Sequence, residues 1–495
     1  MNPVERLLLR HVAAGQGGRP ALVDHERTLT YAELTQAARD HAGAVAAAGV
    51  RRGCRALVVG DDNTDTVIAV LGLWWYGCIP VVLSPMLRDS EIAFVARDCA
   101  AEYAWVSLPK ERRDSLREAL RLLPVHEPGA TRAADTGPPA PFVPDAEALV
   151  QYTSGSTGQP RGVRHGMTGL RAVLDGFGTV LALTPDDTVL STAKLSFGYG
   201  FGNSVLFPLA AGARSVLLAG PVDPYTAITA IHRHRPTVLC AVPRLYAALL
   251  DTLARGTVLD SSSLRLALAA GEHLPAELSA RAARSLGVPV VNGLGATEVL
   301  HIVLATDPRA ALHGSTGNPV PGVTATVRDD NGRPLPAGSH GRLHIRSASA
   351  ALGYIDRPEA SARTFADGGV YTGDIAYRTE AGDFRHVCRA DDLLNLGGFK
   401  VAPAEIEAEL RTAEGVADLV VVAGRDDTGL EQAVVHAVPA DGVTPEQARR
   451  ALGRAIREKL PPHKRPSRVE VLAALPTTST GKLARYQLRV PQEQR

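Results

Sequence analysis

The eleven residues Tyr152-Thr153-Ser154-Gly155-Ser156-Thr157-Gly158-Gln159-Pro160-Arg161-Gly162 hold three glycines, four serines or threonines and one cation. Glycines let backbone N–H groups come close to an anion, hydroxyls add short donors, and a guanidinium adds a forked, permanent charge. That combination suits a polyphosphate. It is not a Walker A loop, because the spacing glycine, four residues, Gly-Lys-Ser/Thr is absent. A Ser/Gly linker is the plain alternative, but linkers rarely follow an apolar run such as Ala148-Leu149-Val150 and end in Pro-Arg-Gly.

A second stretch, Gly293-Leu294-Gly295-Ala296-Thr297-Glu298, follows an expected strand and ends in a hydroxyl and a carboxylate. The carboxyl end of a strand followed by a glycine turn is where open α/β sheets bind ligands. Thr297 can donate to a phosphate oxygen, and Glu298 can hold a Mg²⁺ ion that neutralises it. A Gly-x-Gly turn capping a helix would look the same, so alone this motif decides little.

Together the two stretches resemble the acyl-adenylate-forming superfamily, which includes acyl-CoA synthetases, peptide-synthetase adenylation domains and luciferases. The first is similar to its signature loop and the second to its Gly-x-Thr-Glu motif. The resemblance implies that Thr153, Ser154, Gly155, Ser156, Thr157 and Gly158 cradle phosphates, and that Glu298 binds Mg²⁺. One position departs: Arg161 stands where the family usually has lysine, which keeps the charge but spreads it over a planar fork.

Further motifs follow in the family's order, each a plausible surface turn by itself. Ala270-Gly271-Glu272 resembles the segment flanking adenine, with Asn292-Gly293 on its other side. Tyr371-Thr372-Gly373-Asp374 resembles the motif whose aspartate takes both ribose hydroxyls, a role suited to an ionised carboxylate. Arg389 and Asp391 resemble the hinge motif, with the arginine at ribose and phosphate and the aspartate as pivot. Thr477-Thr478-Ser479-Thr480-Gly481-Lys482 resembles the C-terminal loop whose lysine bridges carboxylate and α-phosphate. Gly397-Gly398 resembles the loop that admits a pantetheine arm. The resemblance runs from about Arg19 to Arg489.

A narrower likeness concerns the acid. Residues 194–203 (KLSFGYGFGN) and 293–302 (GLGATEVLHI) are similar to stretches lining a flat pocket in benzoate–CoA ligases and related aryl-CoA ligases. Aromatic walls at Phe197 and Tyr199, with small residues Gly198, Ala269 and Gly295, suit a ring. Gly198 stands where that group often has alanine, which implies room for a substituent or a bulkier ring. His301 either reaches a ring substituent or the carboxylate, or is a packed structural histidine. No early acidic residue awaits an ammonium group, so an α-amino acid would leave a charge unpaired.

The implied chemistry has two steps. A carboxylate attacks the α-phosphate of Mg·ATP to give acyl-AMP and pyrophosphate, with Lys482, Thr297, Glu298 and Arg161 stabilising the crowded charge. The thiol of CoA, or of a carrier protein's phosphopantetheine, then takes the acyl group. Alternatives are a stand-alone enzyme loading a carrier protein, an enzyme whose adenylate is captured by a nitrogen nucleophile, and a non-catalytic nucleotide-binding module. The last has no use for a bridging lysine.

The elements that must position these residues follow from pattern. A chain of 495 residues exceeds one core and divides into domains. Thr30-Tyr31-Ala32-Glu33 has capping-box form and opens an alanine-rich helix that Gly49 closes. Arg55–Gly60 and Ile79–Leu83 read as strands around a helix at Thr66–Tyr76, whose Trp74, Trp75 and Tyr76 read as packing. Strands at Thr188–Thr192, Ser215–Leu218, Thr237–Val242, Leu264–Ala269 and Val288–Val291 continue the alternation, which argues for parallel sheets covered by helices. Glu127–Asp145, rich in Pro, Ala, Gly and Thr, reads as a surface connector. After Gly314 short turn-rich segments suggest a small β-rich subdomain, about 314–390. The tail alternates helix and strand: Glu405–Arg411, Leu419–Ala423, Ala433–Val438 and Pro445–Leu460. The expected fold is α/β: a large N-terminal domain, 1–390, then a small, mobile α+β domain, 391–495.

Net charge is +1, with 45% hydrophobic and 21% charged residues, so nothing points to nucleic acid or an anionic membrane. The five cysteines (54, 78, 99, 240 and 388) lack metal-ligand spacing and read as reduced thiols of a cytoplasmic protein. The N-terminus has no signal-peptide pattern, and the apolar run Val67–Cys78 is too short to cross a bilayer.

Overall fold

Asn63 opens the buried helix Thr64–Tyr76: its side chain accepts from Thr66 N at 3.0 Å, and Gly77, at φ +97°, ends it in the left-handed conformation. Ten of the helix's residues are buried, so its interior position comes from all-round apolar character rather than an amphipathic stripe. Trp74 donates its indole N–H to Ala148 O at 2.6 Å and meets Phe201 edge-on at 5.8 Å. The capping box holds at Thr30 and Glu33, starting the helix Tyr31–Ala47.

The computed structural model describes all residues except 1, 121–124, 127–135, 144, 155–159, 311, 397–398, 427–429, 477–482 and 490–495. By its internal contacts the chain falls into two units. The first comprises Met1–Thr326, His344–Thr372 and Thr379–Arg385; the second comprises Val327–Leu343, Gly373–Arg378 and His386–Arg495.

The first unit holds two large sheets. One runs Gly353–Tyr354, Pro160–Gly166, Glu147–Ser154, Ile79–Leu83, Arg55–Val59, Tyr103–Val106 and Val125–His126. From Glu147–Ser154 onward its strands are parallel. The other contains the parallel run Val290–Gly295, Leu266–Ala270, Val238–Ala241, Thr188–Ser191, Arg214–Val216 and Pro20–Val23, with antiparallel strands at both edges. Parallel strands buried on both faces explain the near-continuous apolar runs read from the sequence.

The connector is not wholly superficial. Trp75 Nε1 donates to Gly137 O at 3.1 Å, Asn2 Nδ2 donates to Ala140 O at 2.8 Å, and Ala140 and Phe142 are buried. An indole and a buried amide draw this backbone inward. Much of the remainder, 127–135 and 144, lies outside the described residues. The N-terminal turns Glu5–Leu9 and Arg10–Ala13, which pack Leu7 and Leu8, went unread in the sequence.

In the second unit, antiparallel strands Val416–Arg425 and Glu431–Pro439 continue into the parallel strand Arg468–Val471. Helices Pro403–Leu410 and Pro445–Lys459 supply Ile406, Leu410, Leu452 and Ile456 to a core with Leu419, Val421 and Val435.

Candidate active site

The phosphate-binding candidate is flanked by two paired strands. Glu147–Ser154 pairs antiparallel with Pro160–Gly166, placing Thr153 opposite Arg161 and Ser154 opposite Pro160. The second strand was not read from the sequence, because Pro160 suggests a break; as the strand's first residue it forfeits no essential donor. Gly155, Ser156, Thr157 and Gly158 lie outside the described residues.

Arg161 leans over a residue the sequence did not single out. Its guanidinium carbon is 5.8 Å from the ring centroid of Tyr354, a cation–π distance. Tyr354 sits on a two-residue strand added to the hairpin's outer edge, with its hydroxyl 2.7 Å from Glu298 Oε1. Burial, then the Glu298 carboxylate, pushes the phenol's pKa up, so it remains a donor. One buried phenol thus joins the signature hairpin to the Thr-Glu motif. The only foreshadowing in the sequence was a Gly-Tyr pair in a turn-rich stretch.

Thr297 and Glu298 form a single 3₁₀ turn beyond the strand Val290–Gly295. Two strands end beside each other here, since Ala270 is in register with Gly293. Gly271 follows at φ +90°, and Glu272 Oε2 accepts from Arg244 N at 3.3 Å. Asn292 donates its side-chain amide to Ser315 O at 2.7 Å. All these groups sit at the carboxyl ends of parallel strands, where an open sheet binds ligands.

Glu298 is half-buried, with one oxygen on Tyr354. Among the described residues no group of three or more His, Cys, Asp or Glu side chains could hold a metal. A lone carboxylate fits Mg²⁺, which takes one or two protein carboxylates and completes its octahedron with substrate phosphates and water.

The aromatic region is built on one interrupted helix. Phe197 precedes Gly198–Phe201, a π-helical turn spans Gly202–Leu206, and Phe207–Ala211 completes it. The Tyr199 hydroxyl lies 3.0 Å from Leu268 O and 3.3 Å from Ala241 O, which fixes its ring against two strand ends. Ala269 is buried next to Leu268 on the same strand, in register with Ala241 of the neighbouring one.

His301 is 3% exposed. It packs against Phe177, Tyr199 and Phe207, with ring centroids 5.3, 5.9 and 4.7 Å away. Burial pushes its pKa down to about 3, so the ring is neutral. Neither ring nitrogen makes a hydrogen bond of ordinary geometry among the described atoms, although the ring faces the Tyr199 backbone. Its approach depends on Leu300, at φ +69° and ψ −47°, where His301 N donates to Val299 O at 2.9 Å. That is the rare, strained γ-turn, a cost tolerated where placement matters.

The small residues prove to have another use than leaving space. A Cβ on Gly198 would stand 2.2 Å from Leu300 O, and one on Gly295 would stand 2.3 Å from His301 O. The room expected for a substituent at Gly198 is taken by this backbone. These glycines let the turn come close.

Behind the helix, Leu195 N lies 3.2 Å from both carboxylate oxygens of Asp62, and Lys194 Nζ lies 4.0 Å from Asp62 and 3.7 Å from Asp61. Burial raises the Asp62 pKa to about 7, against the lowering effect of Lys194.

In the second unit, Asp374 is 5% exposed, and its Oδ1 lies 3.2 Å from both His386 Nε2 and Arg389 Nη1. A Cβ on Gly373, at φ +77°, would stand 2.6 Å from Arg389 Nη2, and the guanidinium would have to shift. Asp391 is exposed on the 3₁₀ turn Ala390–Asp392. Lys482 and the pair Gly397-Gly398 lie outside the described residues.

Residues 9–355 match the family model "AMP-binding enzyme", and residues 405–482 match "AMP-binding enzyme C-terminal domain". The chain is 32% identical to a 4-hydroxybenzoate–CoA/benzoate–CoA ligase of Rhodopseudomonas palustris, over 97% of this chain and 92% of that one. Its fold matches a benzoate CoA ligase from Burkholderia xenovorans LB400 with a TM-score of 0.89 and 30% identity, covering 99% and 100% of the two chains. It also matches an anthranilate CoA ligase in complex with anthranoyl-AMP, with a TM-score of 0.90 and 29% identity, covering 99% and 96%.

Proposed function

The chain belongs to the family of AMP-binding enzymes, and from that premise we propose that it is an aryl-CoA ligase. It activates an aromatic carboxylic acid with ATP, forming acyl-AMP and pyrophosphate, and passes the acyl group to the thiol of CoA. The observation that carries this function is the Arg161–Tyr354–Glu298 chain, which brings a cation and a carboxylate to one place beside a strand-end glycine motif.

Each residue has a part. Thr153, Ser154, Gly155, Ser156, Thr157, Gly158 and Arg161 hold the β- and γ-phosphates. Gly271, Glu272, Asn292 and Gly293 flank the adenine, while Asp374, with Arg389, takes the ribose hydroxyls. Lys482 bridges the acid's carboxylate and the α-phosphate, and Thr297 donates to that phosphate. Mg²⁺ on Glu298 supplies charge neutralisation for the phosphates. The acid's ring lies beside Phe197, Tyr199, Ala269 and His301, with Gly198 and Gly295 letting the turn at residues 300 and 301 close in on it. A neutral His301 costs an aryl ring nothing in charge, and either nitrogen can pair with a polar group. Asp391 is the pivot of a C-terminal domain that withdraws Lys482 after the first step, and Gly397-Gly398 then admits the pantetheine arm.

ATP–pyrophosphate exchange over benzoates, cinnamates, aliphatic acids and amino acids tests this, with CoA then added and products read by mass. Exchange on aryl acids with acyl-CoA formed is the expected result. Exchange without CoA product transfers the second step to a carrier protein's phosphopantetheine or a nitrogen nucleophile. Absence of exchange on every aryl acid refutes the substrate class.

A further inference from the structure

Gln151 lies two residues before Thr153 on the inner strand of the signature hairpin, so both side chains leave the same face. It is 1% exposed, and neither Nε2 nor Oε1 has a hydrogen-bond partner among the described atoms. A buried primary amide with both ends unpaired is rare and costly in a folded protein. The amide faces the aromatic region: a Cβ on Gly198 would stand 3.1 Å from Gln151 Oε1.

Four residues along, at Gly202, a Cβ would stand 2.6 Å from His301 Nε2. Gly198 and Gly202 share a helix face one turn apart. Two buried polar side chains, the Gln151 amide with no partner and the His301 ring facing only the Tyr199 backbone, therefore come from different segments to one stretch of glycine backbone. Ser196 Oγ and both side-chain amide atoms of Asn203, on the same segment, are likewise buried and unpartnered. Such a concentration of unmet hydrogen bonds marks a place where a ligand completes them. Along the strand, Thr153 is about 7 Å from Gln151, roughly the reach of a benzoate from carboxylate to far ring edge.

We propose that Gln151 is a specificity-determining residue whose side-chain amide hydrogen-bonds a hydroxyl or amino substituent on the ring of the acid. The assignment rests on the aryl-acid function above. Gln151 offers both a donor and an acceptor, so it pairs with either group. An unsubstituted ring leaves the amide unpaired, which sets the direction of preference.

The test is ATP–pyrophosphate exchange by the full-length protein with benzoate, the three hydroxybenzoates and the three aminobenzoates, for the parent, Gln151→Met and Gln151→Asn. The parent is expected to favour at least one substituted acid. In Gln151→Met, the ratio of kcat/KM for that acid over benzoate should fall about 10- to 100-fold. Gln151→Asn, which keeps an amide on a shorter stem, should retain more of the ratio. A parent that prefers benzoate, or a ratio unchanged in Gln151→Met, overturns the role of Gln151 while leaving the aryl-acid function standing. Exchange with none of the seven acids overturns the role of Gln151, and absence of exchange on cinnamates as well overturns the aryl-acid function. Because the parent's preference is itself decisive, a variant that fails to fold does not shelter the proposal.

Discussion

Replacing Tyr354 with phenylalanine removes one oxygen and little else. The ring stays beneath Arg161, and the 2.7 Å hydrogen bond to Glu298 Oε1 is lost. A hydrogen bond to a charged group is worth about 1.5–3 kcal/mol, but Glu298 is half-buried and water can replace the phenol, so about 1–1.5 kcal/mol is the fair expectation. Expressed as lost positioning of the carboxylate, that is about a five- to twelvefold fall in adenylation rate. The Mg²⁺ concentration for half-maximal rate should rise by a similar factor. The assay is ATP–pyrophosphate exchange at saturating acid, with Mg²⁺ varied at fixed ATP. Tyr354→Leu also deletes the cation–π contact, worth about 0.5–1 kcal/mol, and should cost a further two- to fivefold. If Tyr354→Phe keeps both the rate and the Mg²⁺ midpoint within twofold, the phenol does not position Glu298 and the assignment fails.

Three other outcomes are expected. Lys482→Ala should lower exchange about 10²- to 10³-fold, yet still convert supplied acyl-AMP to acyl-CoA; adenylation at the parent rate would remove the bridging role. Gly200→Ala would set a Cβ 2.1 Å from Lys194 O and 2.4 Å from Ala193 O, both backbone atoms with little room to yield. Urea unfolding should show a loss of about 1–3 kcal/mol, and an unchanged midpoint would mean the helix start has room for the added methyl group. His301, neutral down to about pH 3, gives a defined acid response. Its share of stability is complete above the unfolded value near 6.5 and is lost as pH falls towards 3, because only the unfolded chain binds the proton. That adds about 1.4 kcal/mol per pH unit to the slope of unfolding free energy below pH 6.5. His301→Gln should remove this share, and an unaltered slope between pH 6 and 5 would contradict the burial argument.

Sheet strands were legible because parallel strands buried on both faces leave continuous apolar runs, as at Arg55–Val59 and Ile79–Leu83. Caps were legible because Thr30 and Glu33 act within a single turn. The site motifs were legible as composition, since glycines, hydroxyls and charges announce a phosphate without any knowledge of their neighbours. What escaped were properties of long-range contact. Tyr354 matters through Glu298, 56 positions away, and nothing near it in sequence states that link. Gln151, between the apolar run Ala148-Leu149-Val150 and Tyr152, carries no mark in the sequence of its burial or its unpartnered amide. The same distance effect reversed the meaning of Gly198 and Gly295, which read as space for a ring and are occupied by the backbone of residues 300 and 301.

That backbone has a consequence for how such a site could diverge. Leu300 abuts Gly198 through its carbonyl, and His301 abuts Gly295 through its carbonyl and Gly202 through its ring. One pair of dihedrals is thus registered against three separate places, and a change at any of them displaces the other two. Variation here should be strongly epistatic: substitutions at 198, 202, 295 and 300 will depart from the sum of their separate effects, as residues sharing one backbone shift do. A single step at these positions mostly damages. Paired steps, such as relief of the Leu300 strain by glycine together with a side chain at 198, open routes to differently shaped acids that no single substitution reaches.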